Sequence, residues 1–302
     1  MLLDLETRFW ALGQGAVFNR VLGEKCGLRI PREAWGRKLL ERKGPRILDQ
    51  HHPMPKLPPR LPEPSFPEYD AIYAQCAPIV RAGLEQYVAP LMANLMRYPL
   101  PVGRALELAC GSGAYAHSLA EQSTLEVLGV DLDPGAIRLA QEWYGHSPRL
   151  AYQVADATQL QCNGEFGLVY CMDSLHHFPD LDQILASASA ALVHGGFLYL
   201  TDLFREATQH DAVAQRVREM RQRFGDAYLL QQARSGRLHP GADSIYNLRL
   251  LQTANSKLAA YAKQEIAQAL RRAGFVDIHA AEAQGSEQVP AKVIFAAVKP
   301  PK

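Results

Sequence analysis

The sequence lacks any apolar run long enough to cross a bilayer, because charged residues or prolines interrupt every candidate segment. It also lacks the marks of a secretory signal. Asp4 and Glu6 stand where a signal peptide carries basic residues, and no long apolar core or small-residue cleavage site follows. We therefore expect a cytoplasmic protein without a membrane partner.

Cysteine and excess charge are scarce as well. The chain has 5 cysteines, and no two are spaced as CxxC, so neither a disulfide framework nor a zinc site is predicted. The formal net charge is +1 without a block of like charges, which argues against nucleic acid as a partner. Hydrophobic residues make up 48% of the chain, which is enough for a sizeable buried core.

Proline, by contrast, is concentrated in residues 51–67, where its density forbids helix and favours an extended segment, called the strap below. Residues 1–50 and 69–96 show helical periodicity. We predict an N-terminal helical cap over residues 1–98 that contains the strap, followed by a larger domain over residues 99–302. Whether the first fifty residues and the strap mediate a homodimer is left open.

Strand-like and helix-like segments alternate from residue 104 onward. Strands are predicted at Ala105–Ala109, Leu125–Val130, Leu150–Val154, Phe166–Cys171, Phe197–Thr201, Val276–Ala280 and Val293–Val298. Helices are predicted at Tyr115–Glu121, Pro134–Tyr144, Leu181–Leu192 and Lys263–Ala273. This alternation predicts an α/β fold, with a mostly parallel sheet and helices on both faces. Residues 204–262 are polar and mostly helical in pattern, which predicts a helical insertion after the fifth strand.

A glycine-rich turn after the first predicted strand is a candidate ligand site. The strand residues Leu106–Ala109 lead into Cys110, Gly111, Ser112 and Gly113, and a predicted helix follows. Glycine permits a positive φ and a close approach of the backbone to a ligand, and the helix N-terminus offers unpaired N–H groups. By itself, this spacing fits a dinucleotide site or a tight turn that binds nothing.

Acidic residues near the strand ends narrow the choice of ligand. Asp131, at the end of the second strand, can accept hydrogen bonds from both ribose hydroxyls of an adenosine. Glu107 lies inside the first strand, where a carboxylate suits a cationic amino group and would be unfavourable beside a pyrophosphate. Asp156 follows the third strand and can accept from an adenine amino group. Together these residues favour S-adenosylmethionine over a nicotinamide dinucleotide.

The segments ELACGSG, GVDLDP, VADA, LVYCMDSLHHF and HGGFLYLTDL, in this order, resemble the successive motifs of class I S-adenosylmethionine-dependent methyltransferases. The resemblance covers residues 104–203 closely and the final strand pair more loosely. It implies a Rossmann-like seven-stranded sheet whose last strand is antiparallel, with S-adenosylmethionine as cofactor. It also implies cofactor contacts from Glu107, Gly111, Gly113, Asp131, Leu132, Asp156, Ala157 and Met172. Ala109 departs from the pattern, since family members often carry glycine there.

In this family the segment after the fourth strand borders the transferred methyl group. Here it contains His176 and His177, and either could act as a base for a hydroxyl or an acidic C–H acceptor. Alternatively, one of the two packs beside the adenosine. A metal held by the two histidines with Asp173 and His239 is a further alternative. Because adjacent histidines on a helix or strand point in different directions, we predict no metal.

The sequence thus predicts methyl transfer from S-adenosylmethionine to an oxygen or carbon, and less favourably a nitrogen, of a small molecule enclosed by a helical lid, residues 204–262. The Asn/Asp-Pro-Pro-Tyr signature of many amino-group methylases is absent at residues 172–175. Tyr246, Asn247 and Arg249 in the lid are candidate substrate contacts. Three alternatives stay open: a non-methylation reaction that uses the bound cofactor, a cofactor-binding regulatory module, and a nicotinamide-dependent oxidoreductase.

Overall fold

The structure, a computed structural model, describes residues 57–63, 81, 88–283 and 292–301. The predicted helices of residues 1–50, most of residues 69–87 and the outer parts of the strap lie outside these residues. None of the helices in the described part of the chain is long and apolar enough to cross a bilayer.

Seven strands form one sheet. They are β1 (Arg104–Leu108), β2 (Glu126–Asp131), β3 (Leu150–Val154), β4 (Phe166–Met172), β5 (Leu192–Leu203), β6 (Val276–Ala283) and β7 (Lys292–Val298). The helices of nine or more residues are α1 (Ala114–Gln122), α2 (Pro134–Tyr144), α3 (Leu181–Ala191), α4 (Ala212–Phe224), α5 (Asp226–Arg234), α6 (Ser244–Ala259) and α7 (Lys263–Arg272). Residues 88–95 are also helical, and Arg205–Thr208 form a single helical turn.

Local sequence signals explain where several helices begin. Asp133 precedes α2, and its carboxylate accepts hydrogen bonds from the backbone N–H groups of Gly135 and Ala136, while Pro134 occupies the first turn. Asp180 caps α3 in the same way, through the N–H groups of Asp182 and Gln183. Such caps satisfy backbone donors that have no partner within the helix.

The strand order is β3-β2-β1-β4-β5-β7-β6. Strands β1 to β5 pair in parallel, whereas β7 pairs antiparallel with both β5 and β6. The predicted seven-stranded, mostly parallel sheet with an antiparallel last strand is confirmed. The chain leaves β1 toward β2 and later returns to its other side as β4, so the order reverses between β1 and β4. In open α/β sheets, ligands bind in the crevice at the carboxyl ends of the strands at such a point.

Helices cover both faces of the sheet, as predicted. On one face, residues 88–95, α1 and α2 pack through Met92, Leu119 and Ile137. On the other face, α3 and α7 pack through Ile184 and Ile266. Each face therefore buries its own apolar cluster, which explains why the interior strands have nearly continuous apolar runs.

Helices α4, α5 and α6 lie between β5 and α7 and bury a third apolar cluster of their own. We call them the inserted helices. The cluster contains Val217, Leu229, Leu251 and Leu258, and Leu61 of the strap packs against it. The backbone N–H of Leu61 also donates to the carbonyl of Leu258 over 3.1 Å. The inserted helices thus pack around their own core and hold the strap by both apolar and backbone contacts.

A matched pair of valines tests the assignment of the sheet core. Val127 in β2 is 3% exposed and Val102 before β1 is 85% exposed. Val127→Ala removes buried methyl groups and leaves a cavity, so the free energy of unfolding should fall by about 2 kcal/mol. Val102→Ala should change it by less than about 0.5 kcal/mol. Urea unfolding measures both, and equal losses would contradict the assignment.

Candidate functional site

The carboxyl ends of β1 to β5 and the start of β7 meet at one edge of the sheet, because β7 runs opposite to its neighbours. In the pairing of β5 with β7, Leu203 lies opposite Lys292. Every residue that the sequence marks as a cofactor contact, and both candidate histidines, follows one of these strand ends or lies within the strand just before it. The fold therefore places the predicted residues along this edge.

The turn between β1 and α1 contains three residues with positive φ: Ala109 at 53°, Gly111 at 53° and Gly113 at 82°. A Cβ on Gly113 would also lie 2.5 Å from the ring of Tyr152, whose hydroxyl donates to the carbonyl of Gly113 over 2.8 Å. Gly113 is thus required by both conformation and space. Ala109 stands where class I methyltransferases often have glycine, and its positive φ is a conformation that glycine adopts more readily than alanine.

Asp131 at the end of β2 holds this turn in place. Its Oδ2 accepts a hydrogen bond of 2.8 Å from the backbone N–H of Gly111, and its Oδ1 accepts one of 3.0 Å from the N–H of Asp133. Each carboxylate oxygen has a second lone pair for a ligand. The next residue, Leu132, leaves 70% of its surface exposed beside the crevice. Asp131 therefore joins the ends of β1 and β2 while keeping acceptor capacity.

Asp156 follows β3 and caps a short 3-10 turn that begins at Ala157. Its Oδ1 accepts hydrogen bonds from the backbone N–H and the hydroxyl of Thr158, and Gln159 donates to its Oδ2. These bonds, led by that from the Thr158 hydroxyl, lower the pKa of the Asp156 carboxyl. Asp156 is thus charged at neutral pH, and Ala157 next to it is buried.

Glu107 is fully buried in β1, one residue before the strand ends. Its Oε2 accepts a hydrogen bond of 3.3 Å from the hydroxyl of Tyr170, whereas its Oε1 has no partner. Burial raises the pKa of the Glu107 carboxyl well above its usual value, and the nearby charge of Asp131 adds to this. A buried carboxylate oxygen without a partner is costly unless a cation or donor supplied by a ligand satisfies it.

The turn after β4 begins with Asp173, which has a φ of 56° and is therefore held in a conformation that side chains rarely adopt. Its Oδ2 accepts a hydrogen bond of 2.9 Å from the Tyr115 hydroxyl and pairs with the ammonium of Lys292. These contacts connect α1, the turn after β4 and the start of β7. Met172, just before this turn, is buried in the sheet core.

His176 lies in this turn and is 6% exposed. Asp202 of β5 contacts it twice: Oδ2 accepts from the backbone N–H over 2.8 Å, and Oδ1 lies 2.7 Å from the ring Nδ1. Burial alone raises the pKa of the Asp202 carboxyl, but the charge and hydrogen bonds of His176 bring it below its usual value. Burial alone lowers the pKa of the His176 ring, and Asp202 outweighs this and raises it.

His177 and His176 lie side by side, with ring centroids 4.1 Å apart. The prediction that adjacent histidines point in different directions is wrong for this pair, because the two residues belong to a tight 3-10 turn, Leu175–His177. The Nδ1 of His177 lies 2.5 Å from the Oε2 of Glu63 in the strap. The strap therefore reaches the edge of the sheet and contributes a carboxylate there.

The candidate substrate contacts lie at the start of α6. Tyr246 and Arg249 are exposed. Asn247 is fully buried, and its side chain bonds to the preceding loop at the backbone of His239, Ala242 and Asp243. The polar groups of Asn247 are thus engaged in closing this loop.

Sequence reasoning did not single out Asp202 or Glu63 as site residues. Asp202 belongs to the motif HGGFLYLTDL, and its acidic side chain at a strand end was an available signal. Glu63 lies 113 or more residues away from the histidines among prolines, and no spacing or periodicity connects it to them. Only the tertiary structure shows this contact.

Residues 105–196 match the family model described as Methyltransferase domain. Among curated proteins, the chain is similar to a ubiquinone biosynthesis O-methyltransferase from Albidiferax ferrireducens, with 31% identity over 124 residues. The match covers 39% of this chain and 49% of that protein. The chain thus spans about half the length of the curated relatives that it matches.

Two solved structures share the fold. One is the Haloferax volcanii complex between the Trm112 methyltransferase activator and a methyltransferase, at a TM-score of 0.55 and 17% identity, covering 78% of this chain and 100% of that one. The other is the cyclase SpnF, at a TM-score of 0.55 and 16% identity, covering 80% of this chain and 99% of that one. At such identities the likeness shows the fold alone.

A pair of substitutions in the turn after β1 tests its geometry. Gly113→Ala adds a side chain at positive φ against Tyr152, and should lower the free energy of unfolding by about 1–3 kcal/mol. Ala109→Gly removes a side chain at positive φ, and should leave that free energy unchanged or raise it by up to about 1 kcal/mol. Urea unfolding measures both. A destabilising Ala109→Gly would show that the turn is wrongly described.

The matched family model, the seven-stranded sheet with its antiparallel β7, and the ordered motifs at the strand ends agree with one another. They show that the domain that begins at β1 is similar to the class I S-adenosylmethionine-dependent methyltransferases and matches their methyltransferase domain over residues 105–196.

Proposed function

We propose that the chain binds S-adenosylmethionine in the crevice at the carboxyl ends of β1, β2 and β4 and transfers its methyl group to a hydroxyl oxygen of a small molecule. The observation that carries this proposal is the buried pair of His176 and Asp202, in the turn that follows β4. It is a base with an orienting carboxylate at the place where the cofactor crevice ends.

The residues at the edge fit the cofactor. S-adenosylmethionine supplies an electrophilic methyl group on a sulfonium that leaves as a thioether. The unpartnered Oε1 of Glu107 suits the cationic amino group of that molecule, directly or through water. The positive φ angles of Gly111 and Gly113 shape a tight turn whose backbone can come close to the ligand. A bound cation also offsets the cost of the buried Glu107 carboxylate, which the protein alone does not satisfy.

The nucleoside part would lie across the ends of β2 and β3. Asp131 keeps a free lone pair on each carboxylate oxygen for the ribose hydroxyls. Leu132 is an exposed apolar side chain that can cover one face of the adenine. Asp156 is held ionised by Thr158 and can accept a hydrogen bond from the adenine amino group. Ala157 and Met172 provide apolar walls.

His176 is suited to remove the proton of an acceptor hydroxyl. With Nδ1–H donating to Asp202, the neutral ring presents the lone pair of Nε2, and Asp202 stabilises the imidazolium that forms. The acceptor must be held in line with the methyl group, so orientation supplies much of the acceleration. The strap and the inserted helices would exclude water from this end of the crevice.

An oxygen acceptor is supported by the similarity to a ubiquinone biosynthesis O-methyltransferase. A small acceptor is supported by the inserted helices, which we propose close over the site as a lid. Contacts of the acceptor with Tyr246, Asn247 and Arg249 stay a prediction, and for Asn247 the loop-closing hydrogen bonds leave little donor capacity.

The reaction type can be tested with a panel of phenols, catechols and aliphatic alcohols, each incubated with the protein and S-adenosylmethionine. Mass spectrometry should detect S-adenosylhomocysteine and methylated product in equal amounts. Conversion of an acceptor without any S-adenosylhomocysteine would overturn methyl transfer in favour of a reaction that only uses the bound cofactor.

Asp131→Asn should weaken S-adenosylhomocysteine binding, because it removes the charged acceptor for the ribose hydroxyls. The expected loss is on the order of 1–3 kcal/mol, or about 5- to 150-fold in Kd, measured by isothermal titration calorimetry. Glu126→Gln at the opposite end of β2 is exposed and serves as the matched control, with unchanged Kd. An unchanged Kd for Asp131→Asn would remove the ribose assignment.

His176→Ala should lower kcat by about 10²- to 10⁴-fold while the Kd for S-adenosylhomocysteine stays within a factor of two. Asp202→Asn should also lower kcat, because an amide can hold the ring in the unproductive tautomer. His177→Ala should have a smaller effect than His176→Ala. If His177→Ala abolished turnover and His176→Ala did not, the roles of the two histidines would be exchanged.

A further inference from the structure

We propose that Glu63, carried by the strap, is a positioning residue of the acceptor site: it holds the His177 ring against His176, so that the site is complete only when the strap is docked. The inference rests on the proposed function, since it assigns a role next to the proposed base. It adds a residue that lies outside residues 105–196, the part of the chain that matches the methyltransferase domain.

The contacts of Glu63 are specific on both carboxylate oxygens. Oε2 lies 2.5 Å from Nδ1 of His177, and Oε1 accepts a hydrogen bond of 2.7 Å from the hydroxyl of Ser256 in α6. The side chain is 18% exposed. Glu63 therefore bridges the turn after β4 and the inserted helices, and both of its oxygens are used in doing so.

The strap is anchored beside the histidines by Arg60. Its guanidinium donates to the backbone carbonyls of His176, Phe178 and Ala259 over 2.6–3.0 Å. It also lies 4.0 Å from the ring centroid of Tyr261. Hydrogen bonds to charged donors are stronger than neutral ones, and three of them here hold one residue of the strap. This anchoring fixes Glu63, three residues further on.

The inserted helices also hold the strap through Arg218. Arg218 of α4 is 8% exposed, and its guanidinium donates to the carbonyl of Pro59 over 3.0 Å. Proline density in the strap reduces the entropy lost on docking, because the fixed φ of proline limits the undocked chain. The strap is thus suited to dock as a stiff unit.

The two histidines each have their own carboxylate: Asp202 from β5 for His176, and Glu63 from the strap for His177. One carboxylate oxygen of Glu63 and one ring nitrogen each of His176 and His177 lie within 4.8 Å of one another. Because the rings are in contact, the ring of His177 limits where His176 can move. A displaced Glu63 would free the His177 ring and remove one wall beside the base.

Several charged groups face His176 from the elements packed around it. Asp202 faces it from β5, Glu63 from the strap, and Asp173 from the turn after β4, where Lys292 partly neutralises Asp173. The His177 ring lies alongside, and Arg60 lies at the His176 carbonyl. Among these, Glu63 is the carboxylate that the strap contributes, and its charge helps to raise the pKa of His176.

Glu63→Gln in the full chain tests the inference, because it preserves size and removes the charge. In nuclear magnetic resonance titrations of the histidine rings, with S-adenosylhomocysteine present, the His176 midpoint should move to lower pH. With the best acceptor of the panel, kcat should fall about tenfold, well short of the loss from removing the base. The acid limb of the kcat/KM profile should move to lower pH in the same variant, since a less basic His176 stays unprotonated further down.

Glu165→Gln is the matched control, because Glu165 is an exposed carboxylate paired with Arg104 at the far end of the sheet. It should leave the His176 midpoint and kcat unchanged. Should Glu63→Gln not fold, Glu63→Asp keeps the charge and shortens its reach, and it should move the His176 midpoint in the same direction by less.

An unchanged His176 midpoint in Glu63→Gln would overturn the proposal. So would a stoichiometric metal ion in the purified protein, detected by mass spectrometry and lost in Glu63→Gln, because Glu63 would then be a ligand. If the wild type did not bind S-adenosylhomocysteine, the proposed function would fail, whereas titration of the rings without it would still test Glu63.

Discussion

The buried carboxylate of Asp202 holds both the backbone and the ring of His176, and this contact ties the turn after β4 to β5. A carboxylate that is 2% exposed is costly unless it is paired and hydrogen-bonded. Here it receives hydrogen bonds from the His176 and Leu203 N–H groups and contacts the imidazole. These bonds join the end of β5 to the turn after β4, so that the position of His176 follows from the sheet.

At the proposed cofactor crevice, by contrast, a buried carboxylate has hydrogen-bond partners on only one of its two oxygens. Glu107 is fully buried in a central strand with one unpartnered oxygen. A more stable protein would have an apolar residue at this position, since stability alone gives no reason to bury such a group. This unpartnered oxygen is what the proposed contact with the cationic amino group of the cofactor would satisfy, and it lies in the strand next to the turn that Asp131 holds.

The two sides are connected through segments outside the sheet. The strap contacts the turn after β4 through Arg60 and the inserted helices through Leu61, and Glu63 contacts both. Movement of the strap would therefore change the environment of the histidines without disturbing β1 to β5. The inserted helices and Leu61 of the strap pack around an apolar cluster that is separate from the two clusters of the sheet.

The sequence by itself determined the sheet and which residues lie along its carboxyl edge. Their signals are local: apolar runs of strand length, Gly113 where only glycine fits, the Asp-Pro start of α2, and acidic residues at strand ends such as Asp131. The tertiary structure decided the rest. It placed Asp202 beside His176, brought Glu63 to His177, and bonded the Asn247 side chain to the loop before α6. These contacts join segments whose relative position depends on how the layers pack. Periodicity along the chain shows which face of a helix or strand is buried, but it does not show which distant segment packs there.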